Sequence, residues 1–341
     1  MTDELPGLDL PVLESWISEH HPDLAAHWSA ALITGGRSNL TYELRSDQDH
    51  LVFRRPPLGH VLETAHDMNR ETTVMRALRT FVPVPEVVDS VDAARSPFGV
   101  PFSLTRFVDG TVLRTPEDLA QISPAEARAR SEQLIDTLAE LHMLNISDVG
   151  LDGFGKPEGF LERNVARWCA QWEQNKTRSV PTLDALGIAL SARVPRSPRP
   201  SVLHGDFRLD NTILSPTGIA AIVDWEMSTL GDPLTDFALM CCYWSLPEDV
   251  VVAGVAHISP THGFMTQGEL LDRYSTATGL DLEHFPYYQS YAIFKLAVIL
   301  EGINARFKAG QTVGAGFDSM SAAVDRLAEW GHDAQRALPN A

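Results

Sequence analysis

The chain is predicted to fold as α+β in two lobes, a β-rich N-lobe with one internal helix over residues 1–108 and a mainly helical C-lobe over residues 109–341. Three observations lead there. Up to Val108 the apolar residues fall in short runs divided by turn-forming residues, the pattern of a strand meander. After Gly110 they recur at helical spacing. Short apolar runs at Ser201–Leu203, Thr212–Leu214 and Ile219–Val223 then interrupt the helical part.

In order, Pro11 to Trp28 reads as a helix with Leu13, Trp16 and Ile17 on one face. Leu32 to Leu44 reads as strand, glycine turn, strand, and His50 to Arg54 as a further strand after the polar turn Ser46–Asp49. Thr64 to Leu78 places Met68, Thr72, Met75 and Leu78 at helical spacing, and Pro83 and Pro85 stop it. Glu86–Val91 and Pro101–Val108 are strand candidates. Pro116 to Asn145 reads as helix on the stripe Leu134, Ile135, Leu138 and Leu141. Leu161 to Gln174 is a second helix, whose Trp168 and Trp172 are expected in the core. The proline-rich residues 193–200 form a connector, and from Asp236 the chain is mostly helical, with Tyr291–Phe307 as a long buried helix.

Hydrophobic residues make up 44% and charged residues 21%, enough apolar matter for a sizeable core. The formal net charge of −18 argues against a general nucleic-acid binder, which needs clustered Lys and Arg. It keeps a protein soluble, and it obliges any nucleotide site to bring its own donors. Cys169, Cys241 and Cys242 form no C-x-x-C pair, as expected in a reducing compartment. Met1–Leu10 holds Asp3, Glu4 and Asp9 with no basic start and apolar run, so no signal peptide is expected. Lys295 and Glu301 make the apolar stretch near Tyr291–Leu300 too short and too charged to span a bilayer. A cytoplasmic protein, monomeric or homodimeric, with no membrane or nucleic-acid partner, is expected.

The chemistry concentrates in His204-Gly205-Asp206-Phe207-Arg208-Leu209-Asp210-Asn211, set between apolar Val202-Leu203 and Ile213-Leu214. Thirteen residues after Asn211 comes Asp224, in Ile222-Val223-Asp224-Trp225-Glu226. Phosphoryl transfer needs a carboxylate near the attacking hydroxyl and oxygen ligands for Mg²⁺. Asp206 suits the first, and Asn211 and Asp224 the second, since Mg²⁺ takes one or two carboxylates and completes its shell with water and phosphate. One such Asp or Asn could simply cap a turn, but that does not explain the whole set. Gly35-Gly36-Arg37-Ser38-Asn39, between two strands, suits a loop whose N–H groups fold over phosphates; a plain hairpin turn would look the same.

H-G-D-x-x-x-x-N followed by an apolar strand and D-W resembles the catalytic and metal-binding motifs of the aminoglycoside phosphotransferase and choline-kinase superfamily. Those are similar to the protein-kinase H-R-D-x-x-x-x-N and D-F-G pair, with Gly205 in place of the arginine. The resemblance implies a two-lobed protein-kinase-like fold. It also implies transfer of the γ-phosphoryl group of ATP or GTP, with Mg²⁺, to a hydroxyl of a small molecule. It makes Asp206 the catalytic base, Asn211 and Asp224 the Mg²⁺ ligands and His204 an orienting residue. Arg208, two after the base where protein kinases carry a lysine, would neutralise the transferring phosphoryl group. Gly35, Gly36, Ser38 and Asn39 become the nucleotide loop, and Phe107-Val108 the backbone facing the adenine edge. Kinases pair a strand lysine with a helix glutamate. No lysine stands here; Arg54, on Val52's face of its strand by alternation, is the choice, with Arg55 as the fallback and Glu71 as the helix partner. Asp232 and Asp236 are assigned to supporting the loop.

A finer resemblance is to the kinase domains fused to, or encoded beside, acyl-CoA dehydrogenases. It rests on Gly35 to Tyr42, Arg54-Arg55-Pro56-Pro57-Leu58-Gly59, Ala65-His66-Asp67-Met68 and Gly155-Lys156-Pro157-Glu158, and covers about residues 30–310. It implies a hydroxyacyl-CoA-type acceptor, for which Arg163, Arg167, Lys176 and Arg178 could form a basic patch. An aminoglycoside or other antibiotic O-phosphotransferase is the alternative. The alternative of another class, a nucleotide-binding pseudokinase or scaffold, is favoured by the missing strand lysine and opposed by the intact Asp206, Asn211 and Asp224. A protein kinase would carry A-P-E after Asp224, and a metal hydrolase further ligands at suitable spacing; neither is found. Tyr243 and Trp244 are expected in the core, and His20, His21, His257 and His262 on surface or loops.

Overall fold

The computed structural model describes residues 5–33, 39–58, 68–250, 252, 255, 257–258, 260–310 and 320–336. In chain order the elements are α1 (Leu10–His20), β1 (Ser29–Leu32), β2 (Leu40–Arg45), β3 (His50–Arg55), α2 (Met68–Leu78), β4 (Val87–Val91) and β5 (Phe102–Arg106). Then come α3 (Pro116–Ala120), α4 (Pro124–Met143), α5 (Phe160–Asn175), α6 (Pro181–Ala192), β6 (Ser201–Leu203), β7 (Thr212–Ser215) and β8 (Gly218–Ile222). The last are β9 (Thr229–Gly231), α7 (Pro233–Trp244), α8 (Gln267–Thr278), α9 (Phe285–Lys308) and α10 (Met320–Arg336).

Two expected helices are corrected by local chemistry. The Asp9 carboxylate caps α1 by accepting from the Val12 N–H at 3.2 Å. The helix ends at His20, because the residue before a proline is pushed out of helical backbone, and His21 before Pro22 stands at φ −135° and ψ 68°. The single helix expected over 116–145 is two. Ser123 Oγ accepts from the Glu126 N–H at 3.3 Å while the Glu126 carboxylate accepts from the Ser123 N–H at 2.8 Å. That capping box starts a new helix at Pro124. Neither α6, with Gly187 in its interior, nor the three-residue β9 was anticipated.

Packing divides the chain into two compact units. One comprises Met1–Thr111 with Thr212–Ser228, the other Val112–Asn211 with Thr229–Ala341. The first holds an antiparallel sheet in the order β1-β2-β3-β5-β4. Strand alternation sorts β3: Leu51 and Phe53 are buried with Tyr42, Leu44, Phe102 and Leu104 against Leu13, Trp16 and Ile17 of α1. Each such side chain contributes about 1.5–3 kcal/mol by leaving water. Val52 and Arg54 point to the opposite face, where α2 offers Glu71. The β7–β8 hairpin belongs to this unit, tied by reciprocal backbone bonds between Thr111 and Leu214 of 2.9 and 2.8 Å. Gly110 permits that approach, since a Cβ there would stand 2.5 Å from the Leu214 carbonyl oxygen. Gly110→Ala should therefore lower stability by about 1–3 kcal/mol, read as a lower urea midpoint.

In the second unit β6 pairs with β9, from Ser201 opposite Gly231 to Leu203 opposite Thr229. Buried His142 of α4 bonds the Tyr274 hydroxyl of α8 at 2.7 Å and Asp236 of α7 at 3.4 Å. Trp168 and Trp172 are buried, as their spacing predicts. No helix among the described residues is long and apolar enough to cross a membrane.

Candidate active site

The loop after β6 is held from beneath by Asp236. Its two oxygens accept from the backbone N–H groups of His204, at 2.6 Å, and Gly205, at 3.1 Å. Gly205 has φ +89°, a left-handed conformation that favours glycine. Burial pushes the Asp236 carboxyl up, but hydrogen bonds and charge from His142, His204 and Gly205 outweigh it, so its pKa lies below the ordinary 3.8. Such a group adds stability in full above its unfolded-state value and loses it as pH falls toward the folded one. Asp236→Asn should cost about 2–4 kcal/mol at pH 7, by stranding buried donors. The gap from wild type in urea unfolding should close as pH drops below 3.8. Asp232 is also buried, accepting from Ser197 and Tyr288 at 2.7 and 2.8 Å.

His204 is fully buried, and its Nδ1 accepts from the Asp206 N–H at 3.3 Å. Asp206 is partly exposed. Asn211 Nδ2 donates to the Asp206 backbone oxygen at 2.8 Å and to its carboxylate at 3.1 Å. That leaves the Asn211 amide oxygen with no partner among the described residues, a hard donor of the kind Mg²⁺ takes. Arg208 lies 3.4 Å from the Asp206 carboxylate and 3.1 Å from that of Asp210, with its guanidinium 4.7 Å over the Tyr243 ring. Burial, its largest influence, raises the Asp210 pKa. Trp244 is core as expected; Tyr243 differs, being half-buried beside Arg208. Together with Leu113, Leu119 and Met240 they line a cavity with space for little more than one water.

The first unit carries a second polar group. Arg54 donates to Glu71 at 2.5 Å and to Asp224 at 2.8 Å, and its guanidinium lies 3.7 Å from Glu226. Burial would lower the Arg54 pKa, but the carboxylates of Glu71, Asp224 and Glu226 hold the group firmly charged. Asp224 sits at φ 69°, left-handed backbone that a non-glycine residue adopts at a cost of about 1–3 kcal/mol. The neighbouring Trp225 is fully buried and donates to the Ile222 carbonyl at 2.9 Å. Asp224 keeps one oxygen beyond the one given to Arg54, again suited to Mg²⁺. Arg55 points the other way, buried against the carbonyls of Gly7 and Pro56. Asn39 Nδ2 donates to Glu226 at 3.3 Å, while Gly35, Gly36 and Ser38 lie outside the described residues. The Phe107 ring stacks on His50 at 3.6 Å, and its N–H is given to the His50 carbonyl; Val108 is half-buried.

Three of the four residues read as a basic patch have partners of their own. Lys176 faces Glu173 at 2.8 Å and Asp184 at 3.6 Å, and Arg178 faces Asp325 at 2.7 Å. Arg163 bonds the carbonyls of Lys156 and Glu158. Glu226 is the residue missed at this site: it stood in the quoted motif with no role, and only the fold brings it to Arg54 and Asn39.

Residues 29–284 match the phosphotransferase enzyme family, APH. Acyl-CoA dehydrogenase family member 10 of Mus musculus is 33% identical over 304 residues, 87% of this chain. The chain spans 28% of that relative's length. A solved protein of Ralstonia eutropha JMP134, assigned as an aminoglycoside phosphotransferase, is similar with TM-score 0.83 and 29% identity, over 97% of this chain and 99% of that one. Choline kinase of Cryptosporidium parvum Iowa II, 13% identical, shares the fold with TM-score 0.66 over 97% of this chain and 96% of that one. The fold is kinase-like, and the chain belongs to the phosphotransferase enzyme family.

Proposed function

We propose that the chain moves the γ-phosphoryl group of ATP or GTP to a hydroxyl of a hydroxyacyl-CoA-type metabolite, with Asp206 as base. The observation that carries the chemistry is the 3.1 Å hydrogen bond from Asn211 to the Asp206 carboxylate. It fixes the carboxylate's direction, and a fixed carboxylate can orient an acceptor hydroxyl and take its proton as the oxygen attacks. His204, holding the Asp206 backbone, orients the loop without touching the acceptor. Arg208, 3.4 Å from the Asp206 carboxylate, neutralises charge on the transferring phosphoryl group. Asn211 and Asp224 each offer an oxygen to Mg²⁺, which when bound neutralises charge on the β- and γ-phosphates. Arg54, steadied by Glu71, holds the α/β-phosphates and exchanges Asp224 for phosphate as nucleotide enters. Gly35, Gly36, Ser38 and Asn39 are assigned to nucleotide binding by the motif. The adenine edge rests on Val108, since the Phe107 N–H is already given away.

The acceptor class is supported by the similarity to an acyl-CoA dehydrogenase family member. The test is a panel of hydroxyacyl-CoA thioesters, sugars and aminoglycosides with Mg-ATP and Mg-GTP, reading the mass gain of one phosphoryl group, with Asp206→Asn as blank. Thioesters alone should gain it. Gain only by antibiotics would overturn the acceptor class, and tight Mg-ATP binding with no product would favour the scaffold reading.

A further inference from the structure

Helix α7 ends in Met240, Tyr243 and Trp244, which share one face at i, i+3 and i+4. Trp244 is fixed there: its indole N–H donates to the Met265 carbonyl at 2.9 Å, and its ring meets Phe264 edge-on at 5.6 Å. These three side chains line the cavity beside the catalytic loop. A second wall comes from α3, where the Thr115–Asp118 capping box sets a short helix whose buried side chain is Leu119. A third is the loop itself, through Arg208, Leu209 and Asp210, and half-buried Val255 lines it as well. Every wall lies in the second compact unit, as Asp206 does.

Arg208 ties this cavity to the base. One guanidinium nitrogen is 3.4 Å from the Asp206 carboxylate, and the guanidinium carbon is 4.7 Å from the centre of the Tyr243 ring. With a C–N bond of about 1.3 Å between them, the ring centre lies at most about 9.5 Å from that carboxylate oxygen. An acceptor hydroxyl bonded to the oxygen takes up about 2.7 Å, and a carbon resting on the ring about 4 Å. At about 1.5 Å per bond, two or three carbons beyond the hydroxyl-bearing carbon cover the rest. The polar groups on the lining are Arg208, Asp210 and Tyr243, and the first two already face each other at 3.1 Å. A water needs two to four polar partners, so walls of Leu, Met, Trp and Val suit an alkyl end better than a water. Close-packed interiors rarely leave such space.

We propose that this cavity is a subsite for the acceptor's alkyl tail: with the hydroxyl at Asp206, a tail of two or three carbons runs past Arg208 and ends against Leu119, Met240 and Trp244. This rests on Asp206 acting at the acceptor hydroxyl and does not depend on a thioester. It adds a length rule to the reaction. A short apolar tail fits, and a long tail or one with a polar end does not. Each tail carbon that enters should raise kcat/KM on the order of fourfold, the worth of burying one methylene.

Turnover with Mg-ATP tests the rule on hydroxyacyl-CoA thioesters carrying one, three, five and nine carbons beyond the hydroxyl-bearing carbon. kcat/KM should peak at three, about tenfold above one and nine. Leu119→Ala, which widens the cavity, should move the peak to five. Val255→Phe, which fills it from a half-buried position, should move it to one. A peak that stays in place in both variants, or a profile flat with length, would overturn the proposal. A second measurement needs neither turnover nor thioester. In protein labelled at the methionine methyls, the Met240 signal is assigned with Met240→Leu. With Mg²⁺ and a non-hydrolysable ATP analogue present, 2-pentanol should shift that signal saturably. The same skeleton with a polar tail end, 1,4-pentanediol, should need about tenfold more for the same shift, and Val255→Phe should abolish both. No shift with 2-pentanol, or equal response to the two alcohols, would overturn the proposal even if no thioester is a substrate. Failure of the thioester class shows instead as absent product with the 2-pentanol shift intact, and failure of the base assignment as activity kept in Asp206→Asn.

Discussion

Asp206→Asn should lower kcat by about 10²–10⁴-fold, the usual worth of a positioned general base. Nucleotide affinity should stay within about twofold, since only the transition-state role is removed. The substitution keeps the size of the side chain and removes an acceptor oxygen with its charge. Asn211, held to Asp206 through the backbone oxygen at 2.8 Å as well, keeps its place, so the loop should not collapse. Steady-state kinetics with the best acceptor of the panel and calorimetric titration with Mg-ATP separate the two effects. Turnover equal to wild type would remove Asp206 from the mechanism.

Arg54→Met carries the second large effect, and it acts on folding as well as on nucleotide. Glu71 is buried at 3% exposure, and Arg54 is its charged partner at 2.5 Å. Removing one partner of a buried ion pair costs about 3–5 kcal/mol, because the other charge is stranded. Chemical denaturation should show that loss, and KM for ATP should rise at least tenfold, about 1.4 kcal/mol or more of phosphate binding. The double variant Arg54→Met with Glu71→Leu should regain most of the stability and none of the nucleotide affinity. Arg54→Lys should fall between, since an ammonium cannot span Glu71 and Asp224 with two separate nitrogens as the guanidinium does. Recovery of nucleotide affinity in the double variant would assign Arg54 a purely structural role.

Much of this was legible in the chain because it is local. Asp206 and Asn211 are five residues apart on one loop, so their spacing alone predicts their contact. Strand alternation separates Arg54 from Arg55, and the structure sends the two side chains to opposite faces. The helix break at Ser123 is also local chemistry, readable as Ser-Pro-Ala-Glu, yet the apolar stripe of α4 masks it. What depends on distant partners was not legible. Glu226 meets Asn39 across 187 residues, and half-buried Tyr243 takes the Arg208 guanidinium over its ring.

The β7–β8 hairpin has a consequence for how the protein is made. The unit built on Met1–Thr111 takes in Thr212–Ser228, so its last parts leave the ribosome about a hundred residues after the sheet does. Until then Arg54 can pair with Glu71 but not with Asp224. A nascent chain stalled at residue 211 holds the loop of Asp206 yet lacks the strands that finish the first unit. Synthesis thus imposes an order in which the Arg54–Asp224 pair forms late, and a fragment cut after Thr111 would not be a free-standing unit but an unfinished one, with unsatisfied backbone where Leu214 belongs.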